Sequence, residues 1–336
     1  MTPKNRLIAV LNKEKADRAP CICPGGMMNM ITEPLMEKAD VFLPDAHTDS
    51  EKMAQLALSA FDNGCFENAG VPFCMTVEAE NMGASADLGN RHIEPRVTKY
   101  VMDSVDEIDK LTAFDVTKGR AKVVLDAIKI IKNKAPDLPV IGNITGPVST
   151  ASSLIEPMVF YRQLRKKKDA AHAFMSFVTD GLVQFALAQV EAGADIIAIS
   201  DPSGTGEILG PKYFEEFAVQ YINRIVDAVK AKNAHVIVHI CGHMNAVYAQ
   251  MNDIRADALS FDSVVPMKEA RANLPDRVLM GNVSTYTLEF GSPEKVALLT
   301  RECMKNGSDI LAPACGLGMR SPLVNTQAIL KGIINE

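Results

Sequence analysis

The sequence predicts an α/β protein built as a closed (β/α)8 barrel (a TIM barrel), with an N-terminal helix and a cap inserted after strand two. Three observations carry this. Eight short apolar runs alternate with amphipathic stretches, and parallel strands read as unbroken apolar runs because helices cover both faces of their sheet. The 336 residues are enough for a barrel of ~250 residues plus an insertion. The apolar content is aliphatic: 47% of the chain is hydrophobic, yet only 6% is aromatic and there is no Trp, which suits an α/β interior better than a β-sandwich.

The elements follow in order. A helix over 4–13 precedes the first strand. The strand-like runs lie at 19–23, 70–75, 139–144, 194–200, 235–239, 256–261, 278–283 and 309–313, the fourth being the most continuous. Helical spacing recurs over 118–134, 170–192, 211–231, 293–306 and 325–334. Pro211 and Pro293 stand where a first helical turn accepts proline, and Gly193 and Gly307 stand where a helix ends before a strand. Residues 77–117 fit no barrel unit; their Asp87-Leu88-Gly89-Asn90 turn predicts a hairpin capping the mouth. With no repeat, low-complexity stretch or linker, residues 1–336 are expected to form one domain.

Charge narrows the function. The net charge is −6, from 41 acidic and 35 basic residues. The one basic run, Arg165-Lys166-Lys167-Lys168, reads as a solvated helix turn, so nucleic acid is not an expected partner. No apolar signal core follows Met1, and no run of ~18 apolar residues stands out, so no membrane span is expected and the default is a cytoplasmic protein. Seven cysteines at irregular spacings do not form a disulfide framework. In a reducing compartment, clustered Cys and His point instead to metal.

The segment that carries chemistry is His235-Val236-Ile237-Val238-His239-Ile240-Cys241-Gly242. Residues two apart in a strand face the same way, so His239 and Cys241 project together at the C-terminal end of the fifth run, where barrels place their chemistry. Cys315 ends the eighth run. One imidazole and two thiolates make a soft three-ligand set for zinc with a position left for substrate. Two anionic ligands keep a bound substrate thiolate electron-rich, which favours alkyl transfer over hydrolysis. The fifth and eighth strands are not neighbours, so the ligands must reach across the mouth. The competing reading is a buried His-x-Cys strand and an unrelated core cysteine.

Further candidates lie on the same rim. Asp262 ends the sixth run and is either a fourth, displaceable ligand or a helix cap. His243 is either a substrate-orienting group or a loop histidine. Asp201, in the Ser200-Asp201-Pro202-Ser203-Gly204 loop, is a candidate hydrogen-bond acceptor for substrate or cofactor. Asn143 and Asn282 are candidates to face the pocket. Met27, in Met27-Met28-Asn29-Met30, is a candidate to line a corrin site, although a hydrophobic helix start reads equally well. Cys21, Cys23, Cys65, Cys74 and Cys303 read as core residues.

At these residues the sequence resembles the uroporphyrinogen decarboxylase superfamily, in Glu191-Ala192-Gly193-Ala194-Asp195, Gly281-Asn282-Val283 and Pro322-Leu323-Val324-Asn325. Within it, the methylcobamide:coenzyme M methyltransferase branch is similar at Ala46-His47-Thr48, the stretch from Pro72 to Glu80, Gly146-Pro147-Val148, His239-Ile240-Cys241-Gly242 and Ala312-Pro313-Ala314-Cys315-Gly316. The resemblance implies zinc on His239, Cys241 and Cys315. It implies methyl transfer from methylcobalamin, or a methylated corrinoid protein acting as partner, to a small thiol such as coenzyme M. Cobalamin-independent methionine synthase resembles this set with an added Glu, where this chain offers the shorter Asp262. Tetrahydrofolate or another acceptor is the runner-up. A tetrapyrrole decarboxylase or binding protein ranks below, because the decarboxylases' arginine pattern is replaced here by Cys21-Ile22-Cys23-Pro24-Gly25-Gly26-Met27-Met28-Asn29-Met30.

Overall fold

The computed structural model describes residues 1–334. Eight strands are formed: β1 (Ala69–Val71), β2 (Ser85–Asp87), β3 (Arg96–Lys99), β4 (Val140–Thr145), β5 (Ile196–Ser200), β6 (His235–Ile240), β7 (Ala258–Phe261) and β8 (Val278–Met280). Six pair in parallel in the order β1-β4-β5-β6-β7-β8. Two shorter segments close the ring: Met280 bridges Ile310, and Leu311 bridges Cys21. The Ile22 N–H donates to the Leu311 carbonyl at 2.9 Å, and the Glu67 N–H donates to the Cys21 carbonyl at 2.7 Å, next to β1. The barrel thus has eight positions, filled in chain order by the eight apolar runs.

Three runs differ in extent from the sequence reading. The second leaves the sheet at Pro72, which has no N–H for the ladder, and residues 72–75 become a rim loop. The first and eighth contribute single bridges rather than extended strands. The first is held at its base by buried Glu67, whose carboxylate accepts from Arg6 (2.7 Å), Arg18 (2.8 Å) and the Cys21 N–H (3.0 Å).

Helices form the outer layer. The first spans Pro3–Leu11, opened by the Thr2 side chain and Pro3. Helix Lys168–Ala192 ends at Gly193, whose φ of 117° supplies the left-handed cap. By length and hydropathy it is the one helix among the described residues that could cross a bilayer. Half of its most apolar window is nevertheless buried within the protein, including Phe174, Met175 and Phe185. The expected 211–231 helix is three pieces: Gly206–Tyr213, a π-helical stretch Phe214–Val219, and Gln220–Lys230. Gly210, at φ 69°, breaks the first piece so that Pro211 opens a new turn. Between β1 and β4, strands β2 and β3 pair antiparallel as an exposed hairpin within residues 77–117.

Candidate metal centre

β6 is buried along nearly its whole length, and His239 is its penultimate residue. In register, His239 lies between Ser200 of β5 and Ser260 of β7. Its Nδ1 meets the Ser260 hydroxyl at 2.9 Å, leaving Nε2 facing the Cys241 Sγ at 3.2 Å. A partner on Nδ1 fixes the ring and presents the other nitrogen as a ligand. Immediately after Cys241 the chain turns at Gly242 (φ 79°). The positive φ favours glycine, and a side chain at 242 would also have to displace the Glu207 carboxylate, 2.4 Å from the Cβ position.

Cys315 arrives from across the barrel. Its loop is fastened at both ends: the Ala314 N–H donates to Val283 (2.8 Å), and the Leu317 N–H donates to Asn29 (2.9 Å). The strand separation is therefore bridged by loop reach. One nitrogen of His239 and the sulfurs of Cys241 and Cys315 lie within 4.8 Å of one another. The two thiols are pushed in opposite directions. A hydrogen bond to Cys315 pushes the Cys241 thiol up, while the same bond, with help from His239, holds the Cys315 thiol down. Met27 packs against the group, its sulfur 3.9 Å from Cys241 Sγ.

The other rim candidates sit elsewhere. Asp262 turns Oδ1 back onto its own loop, accepting from Ser263 Oγ (3.1 Å) and the Val264 N–H (3.2 Å), and lies outside the three-residue group. Ligation by that oxygen would require the loop to release it. His243 is exposed, and its backbone N–H donates to Glu207 at 2.9 Å. Asp201 is fully buried, and both its oxygens are taken: Oδ1 by the Ser149 N–H (2.8 Å) and hydroxyl (2.6 Å), Oδ2 by the Val148 N–H (3.1 Å). It fixes the 147–151 turn and is not free to receive a ligand. Asn143 gives its amide to the carbonyls of Pro24 (2.7 Å) and Val71 (3.1 Å). Asn282 gives its amide to those of Asp262 (2.9 Å) and Val265 (2.7 Å). Both asparagines tie rim loops together, so neither amide donor is available to a cofactor.

A cavity of about 590 Å³ opens beside Cys315, lined among others by Met27, Phe73, Glu94, Tyr286, Glu289 and Leu317. It also reaches Cys74, which belongs to a second polar cluster. Arg120, nearly buried, points Nη1 at Cys74 Sγ (3.2 Å), Nη2 at Thr76 Oγ1 (2.8 Å) and Nε at Glu80 (2.6 Å). Burial raises the Cys74 thiol, but His47 and the Arg120 charge outweigh it and bring it down to about 6. Beneath lies Glu78, fully buried and accepting from the Thr145 N–H (2.7 Å) and hydroxyl (3.0 Å); burial pushes it up to about 7. Reading Cys74 as a core residue captured its burial and missed these partners. The available signal was the dense run of polar residues Thr76, Glu78 and Glu80 directly after an apolar loop.

Known proteins match this architecture. The family model described as "Uroporphyrinogen decarboxylase (URO-D)" matches residues 2–334. A methylcobamide:CoM methyltransferase MtbA of Methanosarcina acetivorans is 33% identical over 332 residues, covering 98% of this chain and 97% of the relative. A solved methyltransferase from Methanosarcina mazei superposes with a TM-score of 0.91 at 32% identity, over 99% of this chain and 98% of that one. A B12-independent methionine synthase from Shewanella sp. W3-18-1 shares the fold alone, with a TM-score of 0.61 at 16% identity over 93% and 97% of the two chains. The chain therefore belongs to the uroporphyrinogen decarboxylase family, on the branch of the methylcobamide:CoM methyltransferases.

Proposed function

We propose that this protein transfers a methyl group from a methylated corrinoid, carried by a partner protein, to a small thiol such as coenzyme M, and that zinc on His239, Cys241 and Cys315 activates the thiol. The observation that carries the reading is the convergence of one imidazole nitrogen and two sulfurs within 4.8 Å beside an open cavity at the mouth of the barrel. The donor set fits the metal: it is soft, three-membered and only partly buried, as a site with an open position requires. Zinc, when bound, would lower the pKa of an acceptor thiol so that it reacts as thiolate near neutral pH.

The chain's own residues supply the rest. Ser260 holds the His239 ring so that Nε2 is the ligand. Cys241 and Cys315 bring negative charge, which keeps the acceptor sulfur electron-rich. Met27 lends a soft apolar wall next to Cys241. In the overall reaction the acceptor sulfur loses a proton and gains the methyl carbon, and the corrinoid keeps the electron pair of the broken bond. The seven free thiols suit a reducing, cytoplasmic setting.

Metal analysis, together with loss of the methylcobalamin absorbance in the presence of a thiol panel, tests the reading. The expected result is about one zinc per chain and thiol-dependent demethylation. A metal-replete protein that demethylates only with tetrahydrofolate would replace the thiol by the pterin.

A further inference from the structure

We propose that Cys74 is an oxidation site for hydrogen peroxide, which enters through the cavity beside Cys315 and converts the Cys74 sulfur to a sulfenic acid. The methyl-transfer reading makes no use of this residue, and the inference stands apart from it. The cavity supplies the access: Cys74 is among its lining residues although it is only 7% exposed. A molecule of two oxygens can reach such a sulfur where a bulkier electrophile is held off. With its own cation at hand the sulfur needs no metal, yet it keeps its nucleophilic lone pairs.

The groups around the sulfur fit the reaction. Arg120, Thr76 and Cys74 form a closed ring of contacts: Arg120 Nη1 donates to Sγ (3.2 Å), Thr76 Oγ1 donates to Sγ (3.5 Å), and Arg120 Nη2 donates to Thr76 Oγ1 (2.8 Å). Glu80, 2.6 Å from Arg120 Nε, keeps the guanidinium oriented. His47 faces the same thiol, 1% exposed, and neither of its ring nitrogens has a well-formed hydrogen bond. Buried polar atoms are seldom left so, and this ring is a place for a small polar molecule to bind beside the sulfur. His47 and the Arg120 charge favour the thiolate, the form that peroxides oxidise. Glu78 and Glu94 also lie near the sulfur, but burial raises both, so they oppose the thiolate less than ordinary carboxylates would. The other thiols outside the metal group differ: burial raises Cys21, Cys23, Cys65 and Cys303, and among the described residues none of them accepts a hydrogen bond from an arginine.

The step balances. Sγ attacks one peroxide oxygen, the S–O bond forms as the O–O bond breaks, and the electron pair leaves on the second oxygen as hydroxide, which takes a proton from solvent to become water. Sulfur is oxidised and peroxide reduced by one electron pair. The donors of Arg120 and Thr76 that now meet Sγ are aimed at the region where negative charge develops on the departing oxygen.

Protein incubated with zinc and treated with hydrogen peroxide near neutral pH gives the test. Samples are unfolded at intervals in a dimedone-type sulfenic-acid trap with an alkylating agent, and each cysteine is scored by peptide mass. The discriminating comparison is with Cys303, which is more exposed than Cys74 but has its thiol raised by burial. We expect Cys74 to be trapped at least about tenfold faster than Cys303, with the metal content unchanged. Arg120→Lys keeps the charge but loses the two-pronged contact, and should slow Cys74 by about tenfold. Trapping of Cys303 first, equal rates at the two cysteines, or oxidation confined to Cys241 and Cys315 with release of metal overturns the proposal. A Cys74 rate that Arg120→Lys leaves unmoved overturns it as well. The comparison of the two cysteines within native protein decides the matter even if the variant does not fold.

Discussion

Two cysteine clusters border one cavity, and they are built on opposite principles. At Cys74 the sulfur is compensated from within: Arg120 supplies a cation at 3.2 Å, Thr76 donates at 3.5 Å, and Glu80 balances the arginine in turn. At Cys241 and Cys315 two sulfurs and an imidazole nitrogen face one another, with no arginine or lysine among them. A negative sulfur that has its own cation is part of the scaffold. Electron-rich donors that converge without one are arranged for a cation from outside. Reactive thiols are commonly sought by lowered pKa. Here that criterion alone would select Cys74 and Cys315 together, and only the identity of the charge partner separates them.

The sharpest way to break this contrast is to delete a sulfur from each cluster. Cys241→Ala and Cys315→Ala should each take bound zinc from about one per chain to near zero after dialysis against a mild chelator. Cys74→Ser should leave the metal content unchanged. Zinc lost equally from all three would make the clusters one site.

Next in size is the internal cation. Arg120→Met leaves Glu80 and a buried thiolate without their counter-charge, and breaking such a pair on one side costs roughly 3 kcal/mol or more. The expected outcome is a lowered urea midpoint and a Cys74 thiol that titrates well above 6, read by thiolate absorbance, with zinc still bound. A thiol that still titrates near 6 would show that His47, and not Arg120, holds it down.

A smaller effect is expected from the residue that aims His239. Ser260→Ala should weaken zinc binding by about 10–100-fold, the usual cost of losing a partner that orients a metal-bound histidine. Competition with a chromophoric chelator measures it. Unchanged affinity would mean that β6 packing alone sets the ring.

The same contrast explains what the sequence made legible. His239 and Cys241 could be paired because strand periodicity is two, and the pairing needs nothing beyond the strand itself. Cys315 could be placed because the eighth run ends there, although only the fold shows how its loop spans the mouth. Cys74 could not be placed, since its cation lies 46 residues away at the start of helix Gly119–Lys134. Asn143 and Asn282 show a related limit in their amide donors. A strand-end asparagine looks like a ligand-binding group until one sees which carbonyls its amide already serves. Gly25 and Gly26 make this concrete: any Cβ there would come within 2.7 and 2.9 Å of the Asn143 side chain, so the placement of Asn143 depends on glycine at both positions. The barrel order was readable because it follows the chain. The π-helical stretch after Pro211 was not, because its residues keep an ordinary amphipathic spacing.

The smallest expected effect concerns pH. Cys74 falls from its ordinary 9.0 to about 6 in the folded protein. An acid whose folded pKa is depressed stabilises the fold fully above its unfolded value, and that stability is lost as pH falls through the folded value. Between pH 9 and pH 6 the Cys74 contribution therefore declines, by at most about 1.4 kcal/mol per pH unit. Glu78 runs the other way. Its pKa rises from 4.5 to about 7, so the stability lent by its protonated form is lost as pH climbs through that interval, and above it the cost is constant. The two can be separated by working between pH 8 and pH 9, where Glu78 is largely ionised and Cys74 is the one of the pair that still changes the balance. Urea midpoints of zinc-loaded native protein and Cys74→Ser, measured across that range, should diverge as pH rises, with the native protein gaining. Thiols common to both proteins cancel in the difference. Parallel curves would mean that Cys74 is not a thiolate in the fold. Arg120 would then balance Glu80 alone, and the two clusters would differ only in burial.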